Sequence, residues 1–171
     1  MSLWRNKMKT TQAIQHKIHT LETLQKQIAS WRVLGKTISF TNGCFDILHQ
    51  GHIFSLSQAA QEADYLIVAV NSDASVKRLG KGDNRPVNDE QSRALILASL
   101  VIVDAVIIFD EDTPQQLITT ILPNVLVKGG DYTVEQIAGS KEVIANGGRV
   151  VINKIIEGFS TTNIIKKISC N

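Results

Sequence analysis

Short apolar segments alternate with amphipathic ones along this chain, and this alternation constrains the fold more than any other feature of the sequence. The clearest apolar segment, 65–70 (YLIVAV), is apolar at successive positions, which predicts a strand buried on both faces. Further strands are predicted at 36–41, 105–109, 125–127 and 149–152. Since strands that alternate with helices favour βαβ units, the sequence predicts an α/β, Rossmann-like parallel sheet with helices on both faces.

Amphipathic segments supply the helices of this prediction. Apolar side chains at steps of three and four over residues 10–30 predict one N-terminal helix. We therefore divide the chain into an N-terminal helical extension, 1–35, and one α/β domain, 36–171. Further helices are predicted up to residue 63 and at 89–100, 113–122 and 160–168, with a weak one before 149. The segment 72–88 is predicted to be a polar loop.

Composition and charge exclude several classes of protein. The net charge of +2 does not support a nucleic-acid binder, which needs a dense basic face. Two cysteines cannot form a disulfide framework. The longest apolar stretch, 95–109, is interrupted by Ser99 and Asp104 and is too short to span a bilayer. With no secretory signal at the N-terminus, we expect a cytoplasmic protein that binds neither membranes nor nucleic acid.

Polar segments that carry glycine follow the predicted strands. They are 41–52, 71–85, 128–132 and 158–162. Ligands of an open α/β sheet bind beyond the carboxyl ends of its strands, where helix N-termini also point. The sequence therefore predicts that these four segments form one site.

The first of these segments carries the clearest chemistry. His49 and His52 are three residues apart at a predicted helix start, and Gly43 and Gly51 permit close backbone approach. Such a cluster suits a polyphosphate, although two unrelated histidines or a single capping histidine would give the same pattern. A zinc site needs a third ligand, so we predict no metal held by the protein itself. The absence of GxGxxG and GxxxxGK[ST] motifs argues against nicotinamide binding and P-loop hydrolysis.

Six segments together resemble a known family. TNGCFDILHQGH resembles the phosphate-binding motif of the HxGH nucleotidyltransferase superfamily, which is cytidylyltransferase-like, and FSTTNIIKKI resembles its second motif. NSDASVKRL, RPVN, LVKGGDY and IAGSKEV are similar to the adenylyltransferases of ADP-heptose synthesis. The resemblance runs from about residue 36 to 168 and implies a Rossmann-like fold of the nucleotidyltransferase type.

The resemblance implies an enzyme that transfers AMP from ATP to D-glycero-β-D-manno-heptose 1-phosphate. The products are ADP-heptose, used in lipopolysaccharide core biosynthesis, and pyrophosphate. It further implies Mg²⁺ held mainly by the nucleotide phosphates, a homodimer, and a sugar kinase on a separate protein. Two alternatives stay open: a cytidylyltransferase acting on glycerol 3-phosphate or a related acceptor, and a non-catalytic module that senses ATP.

The resemblance also assigns residues to roles. The catalytic residues would be His49, His52 and Lys77. The nucleotide would be bound by Thr41, Asn42, Gly43, Phe45, Gly51, Lys128, Gly129, Asp131, Ser160, Thr161 and Thr162. The acceptor would be bound by Asp46, Asp73, Arg85 and Arg93. Asp46 could instead cap the following helix, and Arg93 could instead pair with Asp89 or Glu90 on a helix surface. The run 79–83 is one glycine longer than the family's spacing, so Lys81 receives no role.

Overall fold

A computed structural model of the chain describes residues 10–80, 84–154 and 159–169. Lys81 and the first residue of the predicted site segment 158–162 lie outside the described residues. Within them the helices are α1 (Thr11–Gln15), α2 (Leu21–Val33), α3 (Gln50–Ala60), α4 (Asp73–Arg78), α5 (Glu90–Ala98), α6 (Gln115–Ile121), α7 (Ser140–Ala145) and α8 (Thr161–Ser169). The strands are β1 (Ile18–His19), β2 (Ile38–Gly43), β3 (Tyr65–Asn71), β4 (Ala105–Phe109), β5 (Val125–Gly129) and β6 (Arg149–Asn153).

The six strands form one sheet in the order β1-β4-β3-β2-β5-β6, and every pair is parallel. This confirms the predicted α/β class. From β2 the chain builds outward through β3 and β4, and then returns to place β5 and β6 on the other side of β2. The strand order therefore reverses between β2 and β5. Such a switch point opens a crevice at the carboxyl ends of the two strands, where ligands bind.

Both faces of the sheet are covered by helices, as the apolar strands predict. In β3, Ile67 packs into one core cluster with side chains of α2 and α6, whereas Val68 packs into a second cluster with α3 and α5. Successive strand residues point to opposite faces, so a strand with both faces covered must be apolar at every position. The segment 65–70 meets this requirement and is buried beyond Tyr65.

The N-terminal segment differs from the single helix predicted over 10–30, and that prediction is wrong. Helix α1 ends at Gln15, β1 pairs with β4 at the sheet edge, and α2 begins after the cap residue Thr20. The Thr20 hydroxyl accepts a hydrogen bond from the Thr23 N–H at 3.3 Å, which starts a new helix. The Lys17 Nζ donates to the carbonyls of Leu100 and Val103 at 3.2 and 2.7 Å. The apolar spacing of this segment is helical. The helix is nevertheless interrupted, because Lys17 and β1 form contacts with distant parts of the chain.

The segment 72–88 also differs from its prediction, because its first part is helical. The Ser72 hydroxyl accepts a hydrogen bond from the Ser75 N–H at 2.9 Å and caps α4. Val76 is fully buried, and one apolar anchor in a short helix gives too little periodicity to detect. No helix within the described ranges is both long and apolar enough to cross a membrane.

Candidate active site

A cleft of about 570 Å³ opens at the switch point between β2 and β5. Its walls come from the carboxyl ends of these strands and from the first turns of α3 and α8. Most of the predicted site residues line it. They are Thr41, Asn42, Gly43, Phe45, Asp46, His49, Gly51, His52, Arg85, Lys128, Gly129, Ser160, Thr161 and Thr162. The fold therefore brings together residues that are up to about 120 positions apart in the sequence.

Lys128 joins the two strands that flank the switch point. It lies near the end of β5, and its Nζ donates a hydrogen bond to the Asn42 Oδ1 of β2 at 3.1 Å. The same Nζ lies 5.8 Å from the centre of the Tyr132 ring. The Lys128 ammonium group is thus held at the floor of the cleft by the Asn42 amide oxygen, and the Tyr132 ring lies on one side of it.

The two histidines stack at the start of α3. His49 is the residue before the helix, with an extended backbone, and His52 lies in the first turn. Their ring centroids are 3.8 Å apart at an interplanar angle of 22°. The His49 N–H donates to the His52 Nδ1 at 3.4 Å, and this bond places the His52 proton on Nε2. His52 therefore carries an N–H donor on the atom away from the helix backbone.

Partial burial disfavours the charged form of His49. Desolvation lowers the pKa of the His49 imidazole below its ordinary value, because burial disfavours the charged form. Its Nδ1 is buried and has no hydrogen-bond partner within the described part of the chain. At neutral pH the stacked pair therefore includes an uncharged ring, which avoids repulsion between two imidazolium ions in contact.

Gly51 is required by the position of the His49 ring. A Cβ on this residue would lie 3.2 Å from the His49 Cε1 and Nδ1, and 3.1 Å from the Phe159 Cβ. Any side chain at this position would displace the imidazole or the segment before α8. The glycine between the two histidines therefore allows His49 to fold back against its own helix.

Phe45 occupies an unusual backbone conformation at the centre of the loop between β2 and α3. Its φ of 47° lies in the left-handed region, which costs energy for a residue with a side chain. Its ring makes an edge contact with His52 at a centroid distance of 5.3 Å. A Cβ on Gly43 would lie 3.0 Å from this ring. Gly43 thus leaves room for the aromatic ring that supports His52.

Asp46 connects this loop to the segment that carries Arg85. Its carboxylate is 1% exposed and accepts hydrogen bonds from the Arg85 Nε, the Val87 N–H at 2.8 Å and the Asn88 N–H at 3.0 Å. The Asn88 Nδ2 donates to the Asp46 carbonyl at 2.7 Å. Both carboxylate oxygens are therefore engaged by the protein, and the residue before α3 is His49 rather than Asp46. Asp46 holds the Arg85 guanidinium at the wall of the cleft.

Arg93 and Asp73, predicted to bind the acceptor, form an ion pair away from the cleft lining. The Arg93 Nη2 donates to the Asp73 Oδ1 at 2.7 Å, and Nη1 and Nε donate to the carbonyls of Cys44 and Asn88 at 2.6 and 3.0 Å. Arg93 is 1% exposed and pairs with Asp73, so the alternative of a surface pair with Asp89 or Glu90 is wrong, whereas a role of Arg93 and Asp73 in binding the acceptor stays a prediction. Arg93 thus joins the loop that carries Cys44 and Asp46 to the segment that carries Asn88 and to the start of α4.

Lys77 and Asp131 do not line the cleft either. Lys77 is exposed on α4, because Ser75 and Val76 occupy the buried side of that short helix. Asp131 is exposed after Gly130, whose φ of 122° turns the chain away from β5. The structure therefore gives neither residue a contact with the space between the strands.

Five cleft residues received no individual role in the sequence analysis. They are Cys44, Ser55, Leu56, Tyr132 and Phe159. Cys44, Tyr132 and Phe159 lie within the predicted site segments, whereas Ser55 and Leu56 lie outside them, three and four positions after His52. Helical spacing from His52 could have identified these two.

A second chamber of about 330 Å³ adjoins the cleft. The two spaces share five lining residues, namely Asn42, Gly43, Cys44, Lys128 and Tyr132. The chamber extends past the ends of β3 and β4, where Asn71, Asp112 and Thr113 line it, and Gln136 lines it from the segment after β5. Two molecules bound in these spaces would therefore meet beside Lys128.

The comparisons with known proteins agree with this geometry. The family model described as cytidylyltransferase-like matches residues 40–167. The bifunctional protein HldE of Shigella flexneri serotype 5b is 58% identical over 151 residues, which cover 88% of this chain and 31% of that protein. Its namesake from Nitrobacter hamburgensis is 54% identical over 146 residues, which cover 85% and 30%. The chain thus spans about a third of the length of these relatives.

Solved structures show the same architecture. The lipopolysaccharide core biosynthesis protein from Thermoplasma volcanium is 28% identical, with a TM-score of 0.58 over 71% of this chain and 98% of that one. A pantoate–β-alanine ligase from Francisella tularensis shares the fold, with a TM-score of 0.57 at 18% identity over 86% of this chain and 72% of that one. The predicted resemblance to the nucleotidyltransferase superfamily is confirmed. By the match over residues 40–167, with its stacked histidines and both motifs, the chain belongs to the cytidylyltransferase-like family.

Proposed function

We propose that this chain transfers AMP from ATP to D-glycero-β-D-manno-heptose 1-phosphate, forming ADP-heptose and releasing pyrophosphate. One observation carries the proposal. The histidine pair, Lys128, Arg85 and the first turn of α8 converge on a single cleft at the switch point of the sheet. The high identity to the bifunctional HldE proteins and the likeness to a lipopolysaccharide core biosynthesis protein support this choice among nucleotidyl transfers.

The two helix starts form the binding site for the triphosphate. The N–H groups in the first turn of a helix have no intrahelical partner, and the helix dipole favours an anion there. Helix α3 contributes the His52 Nε2 proton at this end. Helix α8 begins beside the cleft with Ser160, Thr161 and Thr162, and the Thr161 hydroxyl donates to the Ile47 carbonyl at 3.5 Å. That contact fixes the start of α8 against the loop leading to His49.

The attacking group needs no general base. A phosphate monoester has a second pKa of about 6, so its oxygen is mostly ionised at neutral pH. That oxygen attacks the α-phosphorus of ATP, and the bond to the bridging oxygen of pyrophosphate breaks. The protein then contributes alignment and charge stabilisation. In this proposal Lys128, which lines both spaces, neutralises charge where the two phosphates meet, and His52 donates to the transferring phosphoryl group.

Magnesium is expected to enter with the nucleotide. No group of three histidine, cysteine or acidic side chains among the described residues is arranged to hold a metal ion. The buried carboxylate at the cleft, Asp46, already bonds to Arg85 and two backbone N–H groups. Bound to the phosphates, Mg²⁺ would supply charge neutralisation to the triphosphate. The homodimer and the separate sugar kinase stay predictions.

A matrix of substrates tests the proposal. We would measure pyrophosphate release with each of the four nucleoside triphosphates against heptose 1-phosphate, glycerol 3-phosphate and pantetheine phosphate. We expect release only with ATP and heptose 1-phosphate. Preference for CTP and glycerol 3-phosphate would assign the chain to the cytidylyltransferases of the family. ATP binding without release for any acceptor would favour a sensing module.

A further inference from the structure

The chamber beside the cleft carries opposite charges in different parts of its lining. Lys128 lies at the boundary that the chamber shares with the cleft, whereas Asp112 lines the chamber alone. A ligand with one anionic group would therefore place that group at the Lys128 boundary and an uncharged end near Asp112. A phosphate near Asp112 would meet the carboxylate and not its cationic partner, since Arg78, which pairs with Asp112, does not line the chamber.

Asp112 pairs with Arg78 at the protein surface, where the two side chains are 72% and 44% exposed. The Arg78 Nε donates to the Asp112 Oδ1 at 2.6 Å, and the same guanidinium donates to the Asp110 carbonyl. The Asp112 Oδ2 accepts no hydrogen bond within the described ranges of the chain. A carboxylate with one oxygen anchored and the other open is suited to accept hydrogen bonds from ligand hydroxyl groups.

The rest of the polar lining also suits hydroxyl groups. The Asn71 amide is buried in the wall, where its Nδ2 donates to the Ser75 hydroxyl at 3.0 Å and its Oδ1 accepts from the Cys44 Sγ at 3.7 Å. The Gln136 Oε1 accepts from the Thr133 N–H at 2.9 Å, so its Nε2 points away from that backbone group. Gln136 and Thr113 thus offer polar groups to a ligand, and the chamber lining adds no positive charge beyond Lys128.

We propose that Asp112, oriented by Arg78, is a specificity-determining residue that binds the hydroxyl groups of the acceptor farthest from its phosphate. The inference rests on the proposed function and adds the direction in which the acceptor lies. Its phosphate faces Lys128 and its sugar chain extends toward Asp112. An acceptor too short to reach Asp112 leaves this carboxylate without its partner, and a site built to bind hydroxyl groups discriminates against analogues that lack them.

Steady-state kinetics of Asp112→Ala tests this arrangement. Hydrogen bonds to charged groups are the stronger ones, so we expect the KM for heptose 1-phosphate to rise about 10–100-fold. The KM for ATP should stay within about twofold, since Asp112 does not line the cleft. The KM for a hexose 1-phosphate, which lacks the terminal carbon, should rise less. The ratio of kcat/KM for heptose to that for hexose should therefore be smaller in the variant than in the wild type.

Glu111→Ala is the matched control. It removes a neighbouring carboxylate that lines neither space, and its KM values should equal those of the wild type. An unchanged preference for heptose over hexose in Asp112→Ala, with active wild-type protein, would overturn this inference alone. Wild-type protein that releases no pyrophosphate with heptose 1-phosphate would refute the proposed function and this inference together.

Discussion

Replacing Arg93 by methionine tests the buried network behind the cleft. Methionine fills much of the same volume, so the main loss is of hydrogen bonds rather than of packing. The Arg93 side chain donates to the carbonyls of Cys44 and Asn88 and to the Asp73 carboxylate, all within 3.0 Å. Asp73 is 33% exposed, so water can solvate its carboxylate once the partner is lost.

The magnitude follows from these three contacts. A buried group left without its partner costs about 1–3 kcal/mol, and breaking a buried ion pair costs about 3–5 kcal/mol. Because water reaches Asp73, the loss of its ion pair with Arg93 should cost less than that of a fully buried pair. We therefore expect the free energy of unfolding to fall by about 3–5 kcal/mol in total. For a chain of this length each kcal/mol lowers Tm by about 2–4 °C, so Tm should fall by roughly 6–20 °C.

Thermal and urea unfolding followed by circular dichroism measure this loss. The control is Arg149→Met, because Arg149 forms an ion pair with Glu62 at 2.6 Å and is 56% exposed. Exposed pairs contribute about 0–1 kcal/mol, so the control should unfold close to the wild type. A loss below about 1 kcal/mol in Arg93→Met would refute the conclusion that Arg93 fixes the loops around Asp46.

Three further predictions concern the cleft and the acid stability of the fold. His52→Ala should lower kcat by about 10²–10³ with the fold intact, as expected for a lost charge-stabilising donor, and near-normal turnover would remove His52 from the mechanism. Gly51→Ala should lower activity more than stability, because its Cβ would lie 3.2 Å from the His49 ring; full activity would contradict the tight fit. Hydrogen bonds from the Thr37 backbone and hydroxyl lower the pKa of Asp64 to about 2. This folded-state pKa is below the unfolded value of about 3.9. The wild type should therefore be more stable than Asp64→Asn above pH ~4 and should lose this advantage as the pH falls toward 2. Equal acid unfolding curves for the two proteins would contradict this.

The central part of the fold and site could be predicted because local pattern and topology agree there. The strand at 65–70 is apolar at every position since helices cover both of its faces. His49 and His52 follow a strand and start a helix, and the carboxyl edge of a parallel sheet gathers such segments. The site's members at β2, β5 and α8 could therefore be grouped without knowing the strand order.

What the sequence could not supply are tertiary contacts that leave no local pattern. The N-terminal spacing is helical, but Lys17 and the pairing with β4 interrupt it. Arg93 and Asp73 belong to motifs that resemble a binding site, and in the structure they pair with each other while Arg93 also donates to two backbone carbonyls. A charged residue near a cleft can bind a ligand or hold the wall in place. Only the three-dimensional arrangement distinguishes these roles.

Analysis of the products formed from ATP and heptose 1-phosphate tests the central claim most directly. Attack at the α-phosphorus predicts equal amounts of ADP-heptose and pyrophosphate, which ³¹P NMR separates from inorganic phosphate and ADP. The protein should form both products at neutral pH, and His52→Ala should form them far more slowly. Release of inorganic phosphate or ADP in place of pyrophosphate would show attack at another phosphorus and would contradict the arrangement of substrates on either side of Lys128.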